Sequence, residues 1–257
     1  PTGDDRGIAT GIVLRRLVAR TIAQQFSDAV LRATSPFQFA LSTRAGVDCV
    51  ALMTKLLTDM DDDTTVASLD GIGAYDHVSR ACFLEELREN PELAPLLPFV
   101  RLWYSRPSTY TWRDEHNTVH SIPQAEGVEQ GDPLSPLLFS LAVHASLRHA
   151  NESLREGEYL FAFLDDVYTV TPKNRATEVA RMVASRIHEH AGVEPKLGKF
   201  QIWSKGGGPE PEGIDELLEG APRPADPIWT GDLEAERNGM VILGTPVGSP
   251  EFVQRFL

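Results

Sequence analysis

Two adjacent carboxylates interrupt an apolar, β-prone run in Phe161-Ala162-Phe163-Leu164-Asp165-Asp166-Val167-Tyr168-Thr169-Val170. An interior strand does not carry such a pair, because buried unpaired charge is costly. A tight hairpin with both carboxylates at its tip resolves the conflict and offers them to a cation. The flanking residues predict strands over Tyr159–Leu164 and Val167–Thr171 around a two-residue Asp-Asp turn. Surface Asp-Asp turns without a role are common, so the chemistry rests on two further segments. In Thr65–Val78 a short apolar strand ends on Asp70, and a turn of small residues leads through Tyr75 to a helix near Ser79–Arg88. In Glu126–Phe139 a Gly-containing loop opens a long apolar helix, with Pro133 and Pro136 where a first turn tolerates missing N–H groups.

Taken in order, these segments resemble the palm motifs of reverse transcriptases. Asp70-Gly71-Ile72-Gly73-Ala74-Tyr75-Asp76 is similar to motif A (D-x4-[FY]-D), and Phe163-Leu164-Asp165-Asp166 to motif C. Gln130-Gly131-Asp132-Pro133-Leu134-Ser135-Pro136 is similar to motif B (QG-x-PLSP), the most specific of the three. Asp132 stands where many relatives carry Ser, a variation of non-LTR retroelements. The resemblance covers roughly residues 6–250. It implies an α+β fold: a polymerase palm, with a ferredoxin-like antiparallel sheet bearing helices on one face, behind a partial helical fingers segment and without a thumb.

The activity so implied is RNA-directed DNA polymerisation of non-LTR retrotransposon type, in which deoxynucleotides are added to a primer 3′-hydroxyl. Such nucleotidyl transfer uses two divalent ions roughly 3.5–4 Å apart. Oxygen ligands suit Mg²⁺, with Mn²⁺ as a substitute. By the same resemblance Asp70, Asp165 and Asp166 would bind the metals, and Gly71 or Ile72 would add a backbone carbonyl. The backbone of Gly73, Ala74 and Tyr75 would face the incoming triphosphate. The Tyr75 ring would block a ribose 2′-hydroxyl, unless it is simply a core tyrosine. Gln130 and Gly131 would contact nucleotide and template. Lys199 is similar to the motif D lysine that protonates pyrophosphate, although Phe200 replaces the usual Thr. Arg6 resembles a fingers arginine that grips phosphate, although Gly7 replaces Pro. Gln38 and Arg44 look like the second fingers motif, with a surface arginine as the plain alternative. Leu243-Gly244-Thr245-Pro246 resembles the primer-grip turn. Asp76 is expected to cap the helix that follows it. The implied partners are an RNA template, a DNA primer, deoxynucleoside triphosphates and the missing fingers and thumb segments of a longer polyprotein.

Several elements must position these residues. Gly7–Ala33 reads as one helix, apolar at Ile12, Leu17, Val18, Ile22, Phe26 and Val30, with Arg15, Arg16 and Arg20 on other faces. A second helix is predicted over Ala45–Thr58, and Asp59–Asp63 as a solvated turn. Between motifs A and B the pattern predicts helices at Arg80–Glu89 and Glu92–Tyr104, then a polar hairpin joining Thr109–Arg113 to Val119–Ile122. Arg175–Ala191 is amphipathic, Ser204–Asp226 is a Gly-, Pro- and Glu-rich loop, and Met240–Gly248 is an apolar hairpin. The expected division is a fingers segment over 1–60, a palm over 61–204, a loop over 205–226 and a primer-grip-like hairpin over 227–257.

The chain of 257 residues, 42% hydrophobic, suffices for a full core. No apolar run is long enough to cross a bilayer, so no membrane partner is expected. Cys49 and Cys82 have no ligand spacing, which argues against zinc or a disulfide framework and for an intracellular, nuclear or cytoplasmic setting. The net charge of −13 fits poorly with phosphate binding. Residues 1–60 carry seven basic and five acidic side chains, so only this part would attract phosphate. The chain therefore reads as a fragment or decayed copy of a longer protein. Two other functions stand beside the enzyme. A non-catalytic remnant serving as an interaction module would keep the fold without the activity. A two-metal phosphodiesterase would need His ligands and leaves motif B unexplained.

Overall fold

The computed structural model describes residues 11–218 and 226–257. The predicted fingers arginine, Arg6, lies outside the described residues. Helices α1 (Val13–Gln25), α2 (Ser27–Thr34) and α3 (Gly46–Met60) come first. The single helix expected over Gly7–Ala33 is therefore broken at Phe26. Asp28 sits in the first turn of α2, where the helix dipole favours a carboxylate and supports a fresh start.

Strand β1 (Thr64–Leu69) follows, then α4 (Ala74–His77), α5 (Arg80–Glu89), α6 (Leu97–Tyr104) and a hairpin of β2 (Ser108–Arg113) and β3 (Val119–Gln124). The helix expected from Glu92 begins only at Leu97, after a 3-10 turn over Ala94–Leu96. Pro95 and Pro98 cannot donate N–H groups, which delays regular α-helix. Helix α7 (Ser135–Asn151), strands β4 (Tyr159–Phe163) and β5 (Asp166–Pro172), helix α8 (Ala176–Ala191) and strand β6 (Gln201–Ser204) complete the central unit. Helix α9 (Ile214–Leu217), hairpin β7 (Gly239–Ile242) to β8 (Thr245–Gly248), and α10 (Pro250–Phe256) follow.

The central sheet has the order β4-β5-β1-β6, and its neighbours run antiparallel. Alternation along the strands separates two cores, as the period of two requires. Ala67, Leu69, Ala162, Val167 and Ile202 join the buried side chains of α7 and α8. Val66, Phe161, Tyr168 and Val170 join Val50 and Ala51 of α3 and Met240, Ile242 and Val247 of the last hairpin. Two long helices thus back one face, while α3 and β7–β8 close the other. The segment expected to be only loop contains α9, which buries Ile214, Leu217 and, just beyond it, Leu218 at helical spacing. Among the described residues no helix is long and apolar enough to cross a membrane.

Candidate active site

The hairpin β4–β5 pairs Phe163 with Asp166, so the two turn residues are Leu164 and Asp165. The predicted Asp-Asp turn is thus displaced by one position. Leu164 takes φ +57°, the positive φ that primed hairpin turns require at their first position. Gln38, almost wholly buried, holds this strained residue: its Oε1 accepts from Leu164 N–H at 2.8 Å and from Ala40 N–H at 3.2 Å. The shift separates the paired aspartates in role. Asp165 stands in the turn, whereas Asp166 opens β5.

Strand β1 ends beside this turn, because Leu69 pairs with Val167. Asp70 is the next residue, and Asp70 and Asp165 line one cleft of about 490 Å³. Gly71, Gly73, Ala74, Tyr75, Gln130, Gly131 and Lys199 line the same cleft, so the fold gathers most of the residues singled out by sequence. Asp166 does not line it. Among the described residues no three His, Cys, Asp or Glu side chains converge closely enough to hold one metal ion. The expected three-carboxylate cradle is therefore open. Lys199 Nζ stands 3.8 Å from Asp70 Oδ2, so a positive charge faces this carboxylate inside the cleft.

Tyr75 stacks face to face on Phe139, with ring centroids 4.8 Å apart and planes within 3°. That contact fixes the phenol at the cleft edge. Burial, with the Asp165 carboxylate adding to it, pushes the phenol pKa well above its ordinary value. Tyr75 therefore stays neutral. Asp76 falls inside α4, and Ser79 occupies the N-cap position of α5, so the expected capping role is not realised.

The motif B loop is locked on both sides. Gly127 N–H donates to Val78 O at 2.9 Å and Val128 N–H to Tyr75 O at 2.7 Å, tying this loop to the motif A turn. Gly127 has φ +72°, and a Cβ there would lie 2.1 Å from Asp76 O. Only glycine fits. Gly131, at φ +102°, turns the chain at the cleft wall. On the far side the buried guanidinium of Arg15 contacts Glu129 Oε1 and Asp132 Oδ2, each at 2.8 Å. The same guanidinium lies 4.5 Å from the Trp103 ring centroid.

Three contributors escaped the sequence reading. Arg15 reads from the sequence as a position off the apolar face of a helix, yet it is buried. Gln38, singled out only by its likeness to a fingers motif, carried no signal that it would hold the Leu164-Asp165 turn. Lys196 lines the cleft beside Lys199, and its backbone N–H donates to Asp70 O at 2.8 Å. Its place three positions before Lys199 was the available signal. Arg44 is exposed, as its plain alternative held. Leu243 packs against the second core, and its backbone counters the upward pull of burial on the Tyr168 phenol.

An antiparallel sheet backed by helices, with carboxylates at adjacent strand ends and a glycine-bearing helix entry facing them, is the arrangement of a polymerase palm. Residues 1–244 match the reverse transcriptase (RNA-dependent DNA polymerase) family, and the chain belongs to that family. It is 26% identical over 202 residues to the retrotransposable element SLACS 132 kDa protein of Trypanosoma brucei gambiense, a match covering 79% of this chain and 17% of that protein. It is 35% identical over 83 residues to the retrovirus-related Pol polyprotein from the type-2 retrotransposable element R2DM of Drosophila melanogaster, covering 32% of this chain and 8% of that one. The chain thus spans less than a fifth of either relative. In fold it is similar to telomerase from Candida albicans (TM-score 0.53, 15% identity, 74% of this chain and 35% of that chain). Apo telomerase from Candida tropicalis is similar too (TM-score 0.55, 13% identity, 74% of this chain and 37% of that chain).

Proposed function

We propose that the cleft is the nucleotide site of an RNA-directed DNA polymerase domain that extends a DNA primer on an RNA template. One observation carries the reading: Asp70, Asp165, Tyr75, Gln130 and Lys199, remote in sequence, line a single cleft of about 490 Å³. That volume suits a nucleotide. Its donor set is carboxylate and backbone oxygen, which fits Mg²⁺, and Mn²⁺ in its place. Asp70 and Asp165 would hold the ions, with the Gly71 backbone and Asp166 as the further candidates. When bound, the ions lower the pKa of the primer 3′-hydroxyl and neutralise charge on the triphosphate.

The chain's own side chains supply the rest. Lys196 and Lys199 place positive charge where a triphosphate would lie. Lys199 would hold the proton that passes to the departing pyrophosphate oxygen. Tyr75, pinned by Phe139, would exclude a ribose 2′-hydroxyl. Gln130 and Gly131 would bring backbone and amide close to the base pair, and Arg15 would keep their loop in place. A second reading, a non-catalytic remnant, draws support from the net charge of −13.

Primer extension on an RNA template with Mg²⁺ or Mn²⁺ tests the proposal. Asp70→Asn and Asp165→Asn are each expected to lower the rate by about 10³-fold, the equivalent of several kcal/mol of charge stabilisation. Full activity in either variant would refute the site. Calorimetric titration with Mn²⁺ separates the two readings, since the remnant predicts no binding that depends on these aspartates.

A further inference from the structure

We propose that a second cleft, formed by the helices between the motif A and motif B segments, binds the phosphate backbone of single-stranded RNA outside the nucleotide site. This cleft has a volume of about 410 Å³ and is lined by Arg80, Arg88, Arg101 and Arg106 around Tyr104. No acidic side chain lines it, although α5 also carries Glu85, Glu86 and Glu89. Four guanidinium groups in one concavity are notable in a chain whose net charge is −13. Without a bound anion such a cluster is self-repelling.

The four arginines divide into an anchor and three reaching side chains. Arg80 is buried; its Nε donates to Gly127 O at 2.9 Å and its Nη1 to Arg106 O at 3.2 Å. Its guanidinium lies 5.3 Å from the Tyr104 ring centroid, and its buried Nη2 has no hydrogen-bond partner. Buried donors are almost always paired, so Arg80, which lines the cleft, is left one donor short of full pairing. Arg88, Arg101 and Arg106 are exposed, and none of them makes an ion pair among the described residues.

Guanidinium forks match phosphate oxygens in pairs, which favours a phosphate over other anions. The cations come from α5, α6 and the loop that follows α6. This spread suits a repeated phosphodiester better than one compact anion. Arg80 also connects the cleft to Gly127, which abuts the motif A turn, so a strand held here runs close to the loops of the nucleotide site. The inference needs no catalysis and stands apart from the polymerase reading.

The test is anisotropy binding of an unprimed, labelled single-stranded RNA to the full chain and to the variant R88Q/R101Q/R106Q, with salt varied between about 50 and 200 mM. The three substitutions are at exposed positions, and an unchanged thermal melt confirms the fold. The variant is expected to bind about tenfold more weakly at low salt. The slope of log affinity against log salt should become shallower by about 2, near 0.7 for each lost phosphate contact. Affinity and slope indistinguishable from the unaltered chain would overturn the proposal. So would displacement of the RNA by a phosphorylated peptide that binds this cleft more tightly. The D70N chain, which lacks the proposed metal ligand, is expected to bind this RNA unchanged, so failure of the nucleotide site and failure of this cleft are read separately.

Discussion

Arg15 of α1 and Asp132 of the motif B loop meet at 2.8 Å with 7% and 4% of their side chains exposed. Glu129 shares the same guanidinium. Removing one member of a buried ionic cluster leaves uncompensated charge, at a typical cost of about 3–5 kcal/mol. R15M is therefore expected to lose about that much stability in urea titration. The triple variant R15M/E129Q/D132S should recover most of it. Equal losses in the two proteins would show that lost packing, not orphaned carboxylates, accounts for the effect.

Gly127 offers a sharper probe of the contact between the motif A and motif B loops. Gly127 and Gly157 both have left-handed backbones, at φ +72° and +85°, but a Cβ at Gly157 meets nothing within 4 Å. G157A should cost about 1 kcal/mol from backbone strain alone. G127A adds a clash with Asp76 O and is expected to cost clearly more and to abolish primer extension. Paired melting curves and extension assays give the comparison.

Tyr75→Val shortens the side chain that rests on Phe139 at the cleft edge. The ratio of kcat/KM for ribonucleotides over deoxynucleotides is expected to rise about tenfold or more, the range that a steric pocket edge provides. An unchanged ratio would return Tyr75 to a purely structural role.

His144 sits beside Phe37 with its Nδ1 buried and unpartnered. Burial, reinforced by the nearby Arg148 charge, lowers its pKa from the usual imidazole value. The unfolded chain then binds a proton that the folded chain resists, so stability is intact above the unfolded pKa near 6.5 and falls as pH drops toward the folded value. The melting temperature should decline between pH 7 and 5, and H144F should remove part of that decline.

The central fold was legible because its signals are local. Apolar, β-prone runs marked β1, β4 and β5, amphipathic spacing marked α8, and the run from Gln130 to Pro136 marked the entry to α7. What could not be read depends on tertiary contact. The turn moved from Asp165-Asp166 to Leu164-Asp165 because Gln38, far away in sequence, satisfies the Leu164 N–H. Arg15 looked like a polar helix position because its ionic partners, Glu129 and Asp132, lie more than a hundred residues downstream. Asp76 carried a capping residue type but was absorbed into α4. The short α9 was hidden by the glycines and prolines around its two apolar residues and Leu218 just beyond them.

The Gln38 contact has a practical corollary for dissecting this molecule. Its amide oxygen fastens the Leu164-Asp165 tip to a stretch that precedes α3 and that also bridges β4 through backbone bonds of Phe37 and Phe39 with Ala162. A truncated chain starting at β1 would retain every ladder bond between β4 and β5 yet lose that fastening. Such a minimal palm should also lose the Val50 and Ala51 packing of α3 and the Arg15 ion pairs, and its turn carboxylate should wander from alignment. Domain borders drawn at strand limits would then sever the lever that aims Asp165.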